Sequence, residues 1–485
     1  MDQTKNFYLT TTLPYVNSSP HIGFALEIIQ ADAICRYMSK QGYSVIFNTG
    51  TDEHGLKIYQ KALEEGKDPQ VYTDEYAKHF KDLKEKLNLS FNRFIRTTDK
   101  NHKEAAKHFW NLSLKNGDIY KDKYAVKYCV GCELEKQDSE LENGKCPIHP
   151  NMNIELVEEE NYYFKFSKYQ EPLLKIYNEN PSFVVPAFRL EEIKKFVSEG
   201  LKDFSISRLK EKMPWGVEVP GDSDHVMYVW FDALINYIST LGWPNKDSDF
   251  KGFWPGVQVA GKDNLRQQSA MWQAMLLSAG LKPSKQILIH GFINSDGQKM
   301  SKSLGNVIDP LKIVDNYGID ALRYYLLSDA PTFGEDMDYA DDKFKNRVNG
   351  DLANGIGNLV ARVTKMCETS GFEYILNFKK AEIEGVIDKT AQLMSEYKID
   401  EVCAVLTYEV SVLDKHLQET KPWENIAENK ELLELVLNKI LFLLDNFEFI
   451  LPTTKQRVFD HLGVSEDIET VKKVTHLTGL FPRIQ

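Results

Sequence analysis

No apolar run in this 485-residue chain is long enough to cross a bilayer. The most apolar stretch, Leu432 to Leu444, is too short and is interrupted by Glu434 and Lys439, so a buried bundle helix is expected there instead. The N-terminus, Met-Asp-Gln-Thr-Lys-Asn, has no basic region followed by an apolar one, and no secretory signal is read. Cysteine is scarce, at six residues. Cys35, Cys367 and Cys403 stand alone in apolar sequence, whereas Cys129, Cys132 and Cys146 cluster; this usage excludes a secreted disulfide framework and fits a reducing cytoplasm. Positive charge is short too. Against 71 Asp and Glu there are 59 Lys and Arg, a net charge of −12, so composition alone supports no nucleic-acid partner. There are no internal repeats, no low-complexity tract, and no Ser–His or Cys–His pair that stands out as nucleophile and base.

What is present is alternation. Phe7 to Leu13 reads as a strand, and from Ile22 apolar residues recur at helical spacing (Leu26, Ile29, Ala33, Tyr37) until Gly42. Tyr43 to Phe47 is a second strand and Asp74 to Leu87 a second helix; Val257–Ala260 and Gln286–Ile289 are strands around a helix from Gln267 to Ser278. The pattern predicts an α/β fold with a doubly wound, parallel, Rossmann-like sheet. Its halves are residues 1–112 and 223–293, interrupted by an inserted domain at 113–222 and followed by a basic-loop region at 294–343 and an α-helical bundle at 344–485. In such sheets ligands sit beyond the carboxyl ends of the strands, where the strand order reverses. His21, Asp52, Asp263 and His290 all fall just after strand ends.

Lys299-Met300-Ser301-Lys302-Ser303 is the most informative stretch: two lysines three apart in a flexible setting, preceded by Gly297, suit a transferring polyphosphate. Far upstream, Pro20-His21-Ile22-Gly23 opens the first helix, whose N–H groups and positive end attract anionic oxygen. His21 reads there as a phosphate donor or, with the tripeptide taken alone, first as a capping histidine. Cys129-x2-Cys132 and Cys146-x2-His149 are two knuckles that can close a tetrahedron around one structural Zn2+, with no position left for a reactive water. Trp230, Ala233, Leu234 and Tyr237 fall on one helical face, as core or as pocket wall. Asn354, Asn358 and Arg362 share a face at four-residue spacing, and Lys421-Pro422-Trp423 begins another helix; amides, guanidinium and indole suit unstacked bases, or simply bundle packing.

With Thr12-Leu13-Pro14-Tyr15, Gly50-Thr51-Asp52-Glu53-His54-Gly55, Tyr228-Val229-Trp230-Phe231-Asp232-Ala233, Gly261-Lys262-Asp263 and His290-Gly291-Phe292 in the same order, the chain resembles the class I aminoacyl-tRNA synthetases over nearly its whole length, and their methionine-specific branch most closely. With no dimerisation module read after the helical bundle, a monomer is expected. The resemblance implies ATP with Mg2+, L-methionine and tRNA(Met) as partners. It implies ATP contacts at His21, Gly23, Gly261, Asp263, His290, Lys299 and Lys302, with His21, Lys299 and Lys302 catalytic. It implies a methionine pocket of Leu13, Tyr15, Asp52, Trp230, Ala233 and Tyr237, the zinc set Cys129, Cys132, Cys146 and His149, and anticodon contacts at Asn354, Asn358, Arg362 and Trp423. The sequence departs from the family at Phe24, where the signature has a second histidine, at Asn264, Gln267 and Gln268 near the amino-acid pocket, and at Leu234. Siblings for isoleucine, valine or leucine normally carry a much larger insertion than the fewer than 300 residues between His21 and Lys299. A cysteine-specific sibling places its zinc in the pocket, and a non-catalytic relative has no use for both lysines.

Overall fold

The computed structural model describes residues 5–17, 20–131, 134–136, 141–300, 306–329, 331–464 and 470–485. Its first half runs β1 (Asn6–Thr11), α1 (Ile22–Lys40), β2 (Ser44–Thr51), α2 (Leu56–Glu64), α3 (Pro69–Lys86), β3 (Arg93–Arg96) and α4 (Lys100–Lys115). Three later strands, β4 (Val184–Val185), β5 (Val257–Gly261) and β6 (Gln286–His290), complete one six-stranded sheet of order β3-β2-β1-β5-β6-β4, every neighbouring pair parallel. Every residue of β5 is buried, as expected where helices cover both faces of a sheet. The buried polar side chains of the central strands bond one another: Thr11 Oγ1 donates to Thr49 Oγ1 at 2.9 Å and Asn48 Nδ2 to Thr10 Oγ1 at 2.9 Å. Chain order reverses between β1 and β5, so the cleft beyond their carboxyl ends is the switch point.

The segment 113–222 contains two long antiparallel strands, Ile119–Cys129 and Ile154–Phe164, paired residue by residue from Ile119↔Phe164 to Cys129↔Ile154. Cys129 ends the first of these strands at the ribbon's tip, with Cys146 and His149 close by. The same segment also contains β4, which pairs with β6 through Ile287↔Val184 and Leu288↔Val185 and so belongs to the main sheet. Two residues are too few to show an alternation, which is why β4 is silent in the sequence.

The C-terminal helices Gly357–Ser370, Ile399–Thr420, Lys430–Asn446 and Pro452–Leu462 share one continuous apolar cluster with β1 and α1. The Leu432–Leu444 stretch is indeed a buried bundle helix. Buried Arg323 joins the two parts: its Nη1 lies 2.8 Å from Asp32 on α1 and its Nη2 donates to the Phe449 carbonyl at 2.9 Å. Three local expectations change. A π-helical turn, Gln267–Met271, precedes the α-helix Trp272–Ser278. Another, Val348–Ile356, contains Gly355 outside helical geometry (φ −84°, ψ −113°), which breaks the regular four-residue face through Asn354. Lys421-Pro422-Trp423 ends a helix rather than beginning one: Lys421 takes a left-handed φ of 45° and Pro422 cannot continue the turn. Among the described residues, no helix is long and apolar enough to cross a membrane.

Candidate active site

The tip of α1 points into the switch-point cleft, and its donors are already engaged. His21 is the N-cap, and its Nδ1 accepts from Gly23 N–H at 3.1 Å. A Cβ on Gly23 would stand 3.0 Å from the imidazole, so glycine is what lets the ring fold back. Phe24 N–H donates to the His21 carbonyl at 3.0 Å and Ile22 N–H to the Ile308 carbonyl at 3.1 Å. The expectation of open first-turn N–H groups is therefore corrected: in this conformation the protein itself satisfies them, because His21 occupies the capping position. The Ile22–Ile308 bond has a larger meaning, since it fastens the helix tip to the chain just beyond the basic loop. Phe24, at the signature's fourth position, is an edge-to-face packing partner of Phe80 on α3, with ring centroids 5.3 Å apart.

Ile293–Ser295 and Gln298–Lys299 form a hairpin turned by Asp296 and Gly297, both at positive φ (51° and 72°). Lys299 thus sits on a strand, not in the loop, with its ammonium 5.4 Å from the Phe292 ring centroid. Lys262 stands over the same ring at 4.5 Å and pairs with Asp336 at 2.7 Å. Lys302 lies outside the described residues. At the end of β5, a Cβ on Gly261 would meet Asp263 Oδ1 at 2.8 Å and His290 Cε1 at 3.5 Å, so this glycine brings the acid and the imidazole to one turn.

Glu27 on α1 was not read from the sequence and is the brace of this cleft. Its Oε1 accepts from Thr12 N and Oγ1 at 2.7 and 2.6 Å, and its Oε2 lies 3.0 Å from His290 Nε2. The other ring nitrogen of His290 faces the Gly291 carbonyl at 2.7 Å. Burial lowers the His290 pKa, but the Glu27 carboxylate and that carbonyl outweigh it, and the net shift is upward. Two acceptors on one imidazole fit its protonated form.

Close to Glu27 lies a second, more apolar group of side chains. Asp52 is buried at the end of β2, its backbone bridged to Tyr15. Tyr15 and Trp230 pack on one small cluster of Met213, Val226, Tyr228 and Val229. Tyr237 is buried; burial first, then the charges of Glu27 and Asp52, push its phenol pKa up, which places those carboxylates near it. Gln268 Nε2 donates to the Tyr237 hydroxyl at 2.7 Å and Gln268 Oε1 accepts from Gln258 at 3.0 Å. Trp230, Ala233 and Tyr237 lie on two short helices, Val229–Ala233 and Asn236–Ser239, rather than on one. Leu13 is half-buried on the loop after β1. The Trp230 indole N–H is buried without an acceptor among the described residues.

The helix bearing Trp230 is anchored by a buried chain that the sequence did not reveal. Asp232 Oδ2 meets His54 Nδ1 at 2.6 Å, Asp232 Oδ1 meets His102 Nε2 at 2.9 Å, and His102 Nδ1 meets Ser239 Oγ at 2.9 Å. Complete burial pushes the Asp232 carboxyl up, yet the two imidazoles, His54 foremost, hold it well below the usual carboxylate range.

At the tip of the ribbon, Cys129, Cys146 and His149 present donor atoms all within 4.8 Å of one another, with Cys129 and Cys146 buried. That is the spacing of ligands on one tetrahedral ion. A Cβ on Gly131 would strike the His149 ring at 2.3 Å, so glycine makes room for the imidazole. Burial, then Lys57, Lys299 and Lys136, lower the His149 pKa and favour the neutral ring that ligates metals. Cys132 lies outside the described residues. The knuckle is tied to α2 by Lys57 Nζ, which donates to the Gly131 carbonyl at 2.8 Å.

In the bundle, Arg362 stands over Trp423, 5.5 Å from its centroid, beside a cleft of about 530 Å³ shared with Gln418 and Lys365, and it pairs with Asp414. Asn354 and Asn358 are exposed, but Asn354 accepts from Arg483 at 2.7 Å. The structure brings Arg362 and Trp423 together and engages Asn354 elsewhere.

A family profile described as tRNA synthetases class I (M) matches residues 7–153 and 132–364. The methionine–tRNA ligase of Thermotoga maritima is 41% identical over 481 residues, covering 95% of this chain and 76% of that one. That of Thermosynechococcus vestitus is 40% identical, covering 95% and 90%. The methionyl-tRNA synthetase of Mycobacterium tuberculosis, solved in complex with methionyl-adenylate, superposes with a TM-score of 0.92 at 34% identity, over 99% of this chain and 100% of that one. With its strand ends, helix tip and basic hairpin assembled around one switch point, the chain belongs to the methionine branch of the class I tRNA synthetases.

Proposed function

We propose that this protein activates L-methionine with ATP and transfers it to the 3′-terminal ribose of tRNA(Met), acting as a monomer in the cytoplasm. The observation that carries the reading is the Ile22–Ile308 bond, which holds the α1 tip and the root of the basic loop on the same cleft. The methionine carboxylate attacks the α-phosphorus of ATP, pyrophosphate leaves, and the terminal ribose hydroxyl then attacks the carbonyl of the adenylate and displaces AMP. No side-chain nucleophile takes part; rate comes from in-line placement and from charge stabilisation.

His21 turns from its cap on Gly23 toward phosphate oxygen, and Lys299 and Lys302 follow the departing pyrophosphate. Gly261 and Asp263 hold the ribose, with His290 beside them, kept protonated by Glu27. Asp52 receives the α-ammonium group, and Tyr15, Trp230, Ala233, Leu13 and Tyr237 enclose the thioether, which gains from aromatic contact. Mg2+ enters with ATP and neutralises phosphate charge. Cys129, Cys132, Cys146 and His149 would hold one zinc ion, which supplies folding energy to a ribbon tip with little core of its own. Arg362 and Trp423, with Asn358 and Asn354, meet anticodon bases.

Pyrophosphate exchange into ATP, measured with each of the twenty amino acids, tests the reading. Exchange is expected with methionine and at most weakly with close analogues. Exchange driven by another amino acid, or by none, rejects it.

A further inference from the structure

The first turns of α4 carry Lys100, Lys103 and Lys107 at spacings of three and four, all on one face of the helix. With Thr98 and Glu104 they line an open cleft of about 350 Å³. In a protein of net charge −12, some lysines elsewhere are paired, among them Lys67 with Glu75, Lys262 with Asp336 and Lys210 with Glu218. Lys103 and Lys107 make no salt bridge among the described residues, and Lys100 reaches only Glu104, at 3.8 Å. Three cations line this open space with Glu104 among them, and Lys107, after Lys210, also helps hold the Glu218 carboxyl below its usual range; the balance is positive and complementary to an external polyanion.

The place of the cleft narrows the choice. The Lys103 ammonium lies 5.8 Å from the centroid of Trp215, a half-buried ring. Trp215 is bonded on two sides to the loop that follows Asp52: its Nε1 donates to the Glu53 carbonyl at 2.5 Å, and its own carbonyl accepts from Gly55 N–H at 3.1 Å. The lysine face therefore adjoins the loop that follows Asp52, the residue proposed above to receive the α-ammonium group, while the triphosphate contacts proposed above lie at the α1 tip and the basic hairpin. A phosphate-tracking groove with an aromatic edge is the general form of a single-strand nucleic-acid site.

We propose that the Lys100–Lys103–Lys107 face of α4, with Trp215 at its edge, receives the backbone of the single-stranded 3′ end of tRNA as it approaches the adenylate. This rests on the ligase reading above, and the two separate cleanly because amino-acid activation requires no tRNA. The test compares Lys103→Glu, Lys107→Glu and the double variant with Lys251→Glu, an exposed change beside Gly252, whose carbonyl bonds Asn6 at the opposite, amino end of the sheet. In the double variant, methionine-dependent pyrophosphate exchange stays within about twofold, kcat/KM for tRNA in charging falls about tenfold or more, and the slope of its logarithm against log salt flattens by about two. Lys251→Glu changes none of these. The proposal is overturned if charging and salt slope are unaltered, if exchange and charging fall together, or if the control loses as much. Absence of methionine-dependent exchange in the unaltered protein overturns both readings at once.

Discussion

The catalytic cleft and the tip of the bundle both present charged and aromatic groups, but they hold them differently. In the cleft the charges are buried and doubly braced: Asp232 lies between two imidazoles, and Glu27 spans Thr12 and His290. In the bundle, Arg362 and Asp414 keep 26% and 40% of their side chains exposed, and Trp423 is 41% exposed. Water screens the second set and leaves it adjustable, whereas a low dielectric makes each missing partner in the first set costly. The contrast fits chemistry that needs fixed dipoles at one end and recognition that can rearrange at the other.

The largest effect should come from breaking a cleft brace outright. Asp232→Ala leaves two buried imidazoles without their carboxylate and should cost about 3–5 kcal/mol in urea unfolding. The same carboxylate sets an acid limit. Because its pKa is depressed in the folded chain, its contribution is present above the ordinary aspartate range and is lost as pH falls through the depressed value. At the bundle tip, Trp423→Ala should remove about 1–3 kcal/mol of stacking, seen as a raised KM for tRNA with unchanged pyrophosphate exchange. Asp414→Asn, which touches only a half-buried, water-screened pair, should change stability by less than about 1 kcal/mol.

Glu27→Gln sharpens the comparison without unfolding anything. His290 is raised by Glu27, so its contribution is full below the ordinary imidazole pKa of about 6.5 and fades as pH climbs through the raised value. Removing the carboxylate should move the alkaline limb of the exchange profile to lower pH and leave the acid limb in place. An unmoved alkaline limb would show that His290 does not set it.

Much of this was legible because it is local. The strand–helix alternation, the helix opened after His21 and the buried Leu432–Leu444 helix each depend on residues within one or two turns. What was missed depends on distance or on a defect in periodicity. Asp232 meets His54 and His102 across 178 and 130 residues of chain, and Glu27 sits inside an apolar helical pattern that gives no hint of His290 263 residues away. The π-turns at 267–271 and 348–356 look like ordinary helix to any spacing argument, yet they set how Gln268 and Asn354 are presented. Lysine pairing is equally invisible in sequence: Lys103 and Lys67 read alike until their neighbours are seen.

The convergence of the α1 tip and the basic hairpin on one nucleotide is tested most directly by single-turnover kinetics of Lys302→Ala. Adenylate formation should slow by about 10²–10³-fold, while transfer from preformed methionyl-adenylate to tRNA stays within about threefold. Adenylate formation at the unaltered rate would contradict the account.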